Sequence, residues 1–273
     1  MYRKKATVML SEVGCNNEIK IRALLNRLQD TASLAVMDSE GSPSELMRRG
    51  YAWVLLQYQL EVEKRLPAMD EHIVIETRHT VNDGFHTLRI FRVFAQANEA
   101  ETLVLAKTSW VLIDLAAERP VRASQHLPEV FHGVADDPPI DPEFGAIPRL
   151  SGSALKNAPI LREMEFPVRF HDLDANEHAN NAVYFEWMYE ATPLDLLSWK
   201  VRSVNAEFRA GAKFGETVLV RVKAVEPKAA SLAGAGSVIG LEGDTRAFAY
   251  DMIRDGKDMH PLARFCALWA QLG

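Results

Sequence analysis

Residues 8–30, VMLSEVGCNNEIKIRALLNRLQD, lie over residues 168–190, VRFHDLDANEHANNAVYFEWMYE, at a constant offset of 160. Val8 meets Val168, Glu12 meets Asp172, Val13 meets Leu173, Asn16 meets Asn176 and Asp30 meets Glu190. Both copies read as a short strand, a polar loop and a helix. In the first, Ile21, Leu24, Leu25, Leu28, Ala32 and Ala35 recur at helical spacing. In the second, Val183, Phe185, Trp187 and Met188 open a helix that Pro193 ends or bends. A chain that repeats this unit has two apolar helix faces to bury. At 273 residues it is long enough for two domains with separate cores.

Strand-like segments follow each helix. VLLQYQLEVE alternates apolar and polar residues, and HIVIETRHT, HTLRIFRVFAQ and LVLAKTSWVLID come after it, with VNDG as a turn. The second half continues with SVNAEFRA, ETVLVRVKAVE, SLAGAGSVIGLE and TRAFAYDMIRDG. Each half is therefore expected to be one helix and a four- or five-stranded antiparallel meander. A lone helix with one apolar side is buried most simply by a sheet curling around it. The fold class is α+β, a hotdog-like unit present twice. Residues 118–160 hold seven of the chain's 13 prolines and little periodicity, so they read as a connector. The expected division is an N-terminal hotdog over 1–130, a connector over 131–162 and a C-terminal hotdog over 163–273.

The net charge of −6 argues against a dedicated nucleic-acid binder. Two distant cysteines, Cys15 and Cys266, make no disulfide framework and fit a reducing compartment. The start has no apolar core of a signal peptide, and no run approaches a membrane span. A cytoplasmic protein is the expectation.

The DxNxHxNNxxY loop of residues 174–184, the ALLNRLQDTA helix of the first half, and WVLID followed by RPVR resemble the acyl-acyl carrier protein thioesterases of plant plastids and bacteria. That resemblance covers nearly the whole chain in order. It implies a double hotdog whose first half holds the acyl chain and whose second carries catalysis near the interface of the halves. It also implies an acyl carrier protein as partner, no cofactor, and a monomer or homodimer.

Thioester hydrolysis needs an attacking water, a group to take its proton, and donors for the carbonyl oxygen. Asp174, Asn176 and His178 stand at i, i+2 and i+4, which in an extended loop places them on one side. An imidazole ordinarily titrates near ~6.5, suited to proton transfer at neutral pH. Asp174 could orient it, activate the water or attack directly, and Asn176 could hold the water or donate to the oxyanion. Asn180 and Asn181 stand where the helix begins, so their backbone N–H groups could polarise the carbonyl. In the first copy Asp174 becomes Gly14 and His178 becomes Glu18, while Asn16 remains. Only the second copy is chemically armed.

One departure stands out. Plant members carry a Glu-Cys pair in a stretch similar to AEFRAGAKFGE, and Gly211 and Ala212 occupy those positions here. A cysteine nucleophile cannot operate from there. A metal site from His171, Asp172, Asp174 and His178 is weaker, because alternation separates His171 from the rest. The segment AGAGSVIG lacks the Lys-Ser/Thr of a phosphate loop and reads as strand. The cations of residues 2–5, Lys200, Arg202, Arg209 and Lys213 are candidates for docking an acidic carrier. Alternatives to an acyl-carrier substrate are an acyl-CoA thioesterase, a hotdog hydratase using an Asp–His pair, and a non-catalytic acyl-binding protein.

Overall fold

Leu24, Leu25 and Leu28 give helix α1 (Ile21–Leu34) a buried apolar face, and it lies against strand β3 (His72–Val81). The computed structural model describes residues 1–81, 85–127, 150, 158–227, 244–254 and 261–271. The chain forms two compact units, Met1–Tyr58 with Val62–Ile147 and Gln59–Glu61 with Pro148–Gly273. The first unit adds β1 (Tyr2–Thr7), α2 (Pro43–Arg48), β2 (Tyr51–Val62, apart from Gln59–Glu61), β4 (His86–Ala95), β5 (Asn98–Asp114), β6 (Arg119–Val121) and α3 (Ala123–His126). Its strands run in the order β1-β3-β4-β5-β2, with β6 folded back on β5. Lys4 stands opposite Ile75, Ile75 opposite Val93, and Val93 opposite Val104, all antiparallel. The second unit holds β7 (Ile160–Pro167), α4 (Asn181–Ala191), β8 (Trp199–Phe208), β9 (Thr217–Val225), β10 (Thr245–Arg254) and β11 (Ala263–Gln271). Its order, β7-β9-β10-β11-β8, repeats the first. Each unit is a hotdog, so the fold is a tandem α+β hotdog.

The simple meander needs correcting. In each unit the strand before the helix and the strand after it stand at opposite ends of the strand order, with three consecutive strands between them. The helix therefore spans the sheet. Strand β11 lies outside the expected segments: all of its residues but Arg264 and Gln271 are buried, and period-2 alternation vanishes when both faces are covered. The connector is shorter than 118–160 implies. Its first residues form β6 and α3, and Ile160–Arg162 belong to β7. The VNDG turn beyond Val81, the remaining connector apart from Leu150, Ala158 and Pro159, and SLAGAGSVIGLE lie outside the described residues.

Helix α4 is buried on more sides than α1: Ala182, Val183, Tyr184, Phe185, Trp187, Met188 and Ala191 are all covered. Phe185 meets Phe265 edge-on at 4.8 Å and Tyr184 meets Phe208 at 5.5 Å. The helix stops at Ala191, two residues before Pro193, as expected. A buried chain of hydroxyls closes its end. Thr192 Oγ1 donates to Met188 O at 2.7 Å, so Tyr250 Oη donates to Thr192 at 2.9 Å and accepts from Trp269 Nε1 at 3.2 Å. Among the described residues no helix is long and apolar enough to cross a membrane.

Candidate active site

The repeated loops share one backbone hydrogen-bond pattern. In the first copy Gly14 N–H donates to Glu18 O at 2.9 Å, Asn17 N–H to Gly14 O at 3.0 Å and Lys20 N–H to Glu12 O at 2.8 Å. In the second, Asp174 N–H donates to His178 O at 2.8 Å, Glu177 N–H to Asp174 O at 3.1 Å and Asn180 N–H to Asp172 O at 2.8 Å. Asn17 and Glu177 take the same left-handed turn, with φ of 63° and 60°. A second ribbon repeats as well, at an offset of 145. Ile19 N–H donates to Pro67 O and Ala179 N–H to Ala212 O, each at 2.8 Å.

This corrects the extended-loop premise. Residues 174–178 form a closed turn, because the left-handed residue 177 brings His178 O back onto Asp174 N–H. Asp174 Oδ1 accepts the Asn176 N–H at 2.8 Å. Its Oδ2 has no hydrogen-bond partner among the described residues. The Asn176 amide is exposed, while Asp174 and His178 are half-buried. No hydrogen bond joins the side chains of Asp174 and His178, so the carboxylate does not orient the ring.

Gly211 holds the ring instead. A Cβ there would stand 2.4 Å from His178 Cδ2 and 2.7 Å from Cγ, so the imidazole lies against bare backbone. The first copy has Leu66 at the place of Gly211 and Glu18 at that of His178. Arg254 Nη2 donates to Gly211 O at 3.1 Å, and the Ala212 N–H donates to Tyr184 Oη at 2.9 Å. In the sequence Gly211 and Ala212 read only as missing side chains, and no role attaches to Tyr184. The signal for Tyr184 was the terminal tyrosine of the DxNxHxNNxxY pattern.

Asn180 and Asn181 divide. Asn180 caps α4, its Oδ1 accepting from Ala182 N–H at 2.9 Å, and its own N–H is spent on Asp172 O. It is therefore not a free donor. The N–H of Asn181 makes no hydrogen bond among the described residues and stands at the positive end of α4. Asp172 is fully buried and bound by Arg169, with contacts of 2.8 and 2.9 Å. Among the described residues no three His, Cys, Asp or Glu side chains come together to hold a metal.

Residues 1–131 match the acyl-ACP thioesterase N-terminal domain, and residues 157–247 match the acyl-ACP thioesterase C-terminal domain. The chain belongs to the acyl-ACP thioesterase family. Over 236 residues it is 27% identical to a chloroplastic acyl-[acyl-carrier-protein] hydrolase of Cuphea viscosissima, covering 83% of this chain and 56% of that protein. The chain spans about half the length of the curated relatives it matches. In fold it is similar to an acyl-ACP thioesterase from Bacteroides thetaiotaomicron, with a TM-score of 0.74 at 17% identity over 98% of this chain and 96% of that one. It is equally similar to the 12:0-ACP thioesterase from Umbellularia californica, with a TM-score of 0.74 at 18% identity over 99% and 94% of the two chains. In this thioesterase-family chain, the loop of residues 174–184 falls within the residues that match the C-terminal domain.

Proposed function

We propose that the protein hydrolyses the thioester of a fatty acyl–acyl carrier protein and releases the free fatty acid. The observation that carries the reading is the pair of loops with one backbone and two chemistries. The same turn holds Gly14 and Glu18 in one unit, and Asp174 and His178 in the other, where Gly211 opens room for the ring. Asp174 Oδ2, without a partner among the described residues, takes a proton from water held beside Asn176. The water oxygen attacks the carbonyl carbon, whose oxygen draws a hydrogen bond from Asn181 N–H. Collapse breaks the C–S bond, the departing thiolate takes a proton from the His178 ring, and solvent returns to the ring the proton that Asp174 took from the attacking water. Acyl-chain binding is assigned to the N-terminal unit. The exposed Arg209 and Lys213, the latter bridged through its backbone to His178, are the assigned contacts for an acidic carrier.

The test is release of fatty acid from acyl-carrier substrates over a range of chain lengths, beside matched acyl-CoA. Asp174→Ala and His178→Ala are expected to lower kcat by about 10²–10⁴-fold. Wild-type rates in both variants would overturn the assignment. Hydration of an enoyl substrate with its thioester intact would identify a hydratase, and acyl retention without turnover a binding protein.

A further inference from the structure

The two units differ in a correlated way one layer behind the loop. Tyr184 of α4 corresponds to Leu24 of α1, and Ala212 corresponds to Pro67. Leu24 and Pro67 both lack the polar group that their counterparts use, since leucine has no hydroxyl and proline has no N–H. The first unit therefore has neither the donor nor the acceptor, and Pro67 O still takes the Ile19 N–H at 2.8 Å. The second unit has both, joined at 2.9 Å. The scaffold can evidently be built without this tie, and it occurs in the unit that also exchanges Leu66 for Gly211 and Glu18 for His178.

We propose that Tyr184 is a positioning residue for His178: by accepting the Ala212 N–H it fixes the Gly211–Ala212 backbone against which the imidazole rests. The proposal builds on the reading that His178 serves thioester hydrolysis. Three contacts make the connection. Tyr184 Oη holds Ala212 N–H at 2.9 Å, Ala212 O holds Ala179 N–H at 2.8 Å, and Gly211, one residue earlier, lies under the ring with no space for a Cβ. His178 is thus bounded by two backbone segments, its own and that of residues 211–212, and the tyrosine ties the second to the buried helix. Tyr184 is itself held, tilted on Trp187 at 4.9 Å and edge-on to Phe208 at 5.5 Å. Burial pushes its phenol up to about 12, so at neutral pH it remains a neutral hydroxyl. Without the hydroxyl, the Ala212 amide has no acceptor and the floor of the ring loosens.

The test compares Tyr184→Phe, Ala212→Pro and the double variant in the full chain. Turnover of an acyl-carrier substrate is measured alongside the His178 ring resonances in ¹H–¹³C spectra. Tyr184→Phe is expected to lower kcat about tenfold with KM within about twofold, and to shift or broaden the His178 resonances. The double variant, which copies the Leu24/Pro67 arrangement by removing donor and acceptor together, is expected to recover most of both. Melting curves establish that each variant is folded; if the double variant fails to fold, Tyr184→Phe and its ring spectrum still decide. A wild-type kcat and an unmoved ring in Tyr184→Phe would overturn the proposal. So would a lost kcat with the ring unmoved, which would put the hydroxyl in the chemistry itself. The ring spectrum requires no turnover. Failure of the hydrolysis reading, seen as full rates in the Asp174 and His178 variants, is therefore distinguishable from failure of this one.

Discussion

At the scale of single residues the site depends on an omission. A methyl group at position 211 would sit 2.4 Å from His178 Cδ2, closer than any real contact, so either the ring or the ribbon would have to move. Restoring a family-like acid with Gly211→Glu is therefore expected to lower kcat/KM, not raise it, and Gly211→Ala should do much the same. A displacement of about 1 Å costs on the order of 10²-fold in rate. The check is kcat/KM beside melting curves that establish the variants are folded. The cysteines are expected to stand outside the chemistry. Cys15 is exposed, whereas burial pushes the Cys266 thiol up to about 12. Alkylation at pH 8 should label Cys15 first, located by mass spectrometry, and leave turnover intact.

At the scale of elements, each copy of the loop is braced by a carboxylate, but against a different cation. Glu12 receives two hydrogen bonds from Arg27 of α1, both 2.5 Å, and Arg27 also donates to Thr7 O at 2.7 Å. One guanidinium thereby joins the end of β1, the turn and the helix, and its hydrogen bonds hold the Glu12 carboxyl below the usual range. The corresponding position on α4 is Trp187, committed to the apolar core, so Asp172 takes Arg169 from its own turn instead. Arg27→Met should lower the stability of the first unit by about 2 kcal/mol, read as a fall in Tm. Helix α4 could give up a surface cation because it is buried on more sides. That same burial places the hydroxyl of Tyr184 behind the site.

At the scale of the whole molecule, stability should weaken in acid, and one cluster can be singled out. Asp251 of β10 bonds Lys223 Nζ of β9 at 2.8 Å and Arg264 Nε of β11 at 2.6 Å. Burial acts to raise its carboxyl, yet the two cations outweigh that and hold it below the ordinary range. A depressed carboxylate contributes stability that is present above the unfolded-state pKa of about 4 and is lost as pH falls through the lower folded value. Asp251→Asn should therefore cost about 3 kcal/mol at pH 7, because the change removes the carboxylate that both Lys223 and Arg264 bond in a largely buried setting. The difference in Tm from the wild type should shrink below about pH 4. A constant difference across that range would remove the ion triplet as its cause.

The repeat, the two helices and the asymmetry of the loops were legible in the sequence, since each rests on spacing within some 20 residues or on comparison of two such stretches. The helix at Ile21–Leu34 and the stop before Pro193 follow from local periodicity and from the missing proline donor. Tertiary structure alone decided which strands are neighbours, because the opposite placement of the strands flanking each helix is a long-range choice. It alone turned the polar run at 174–178 into a closed turn, spent the Asn180 N–H and left that of Asn181 unbonded among the described residues. It also gave Gly211 its meaning. A residue 33 positions from His178 registers in sequence only as a missing side chain, and becomes a seat for the ring when the ribbon at 211–213 pairs with the loop.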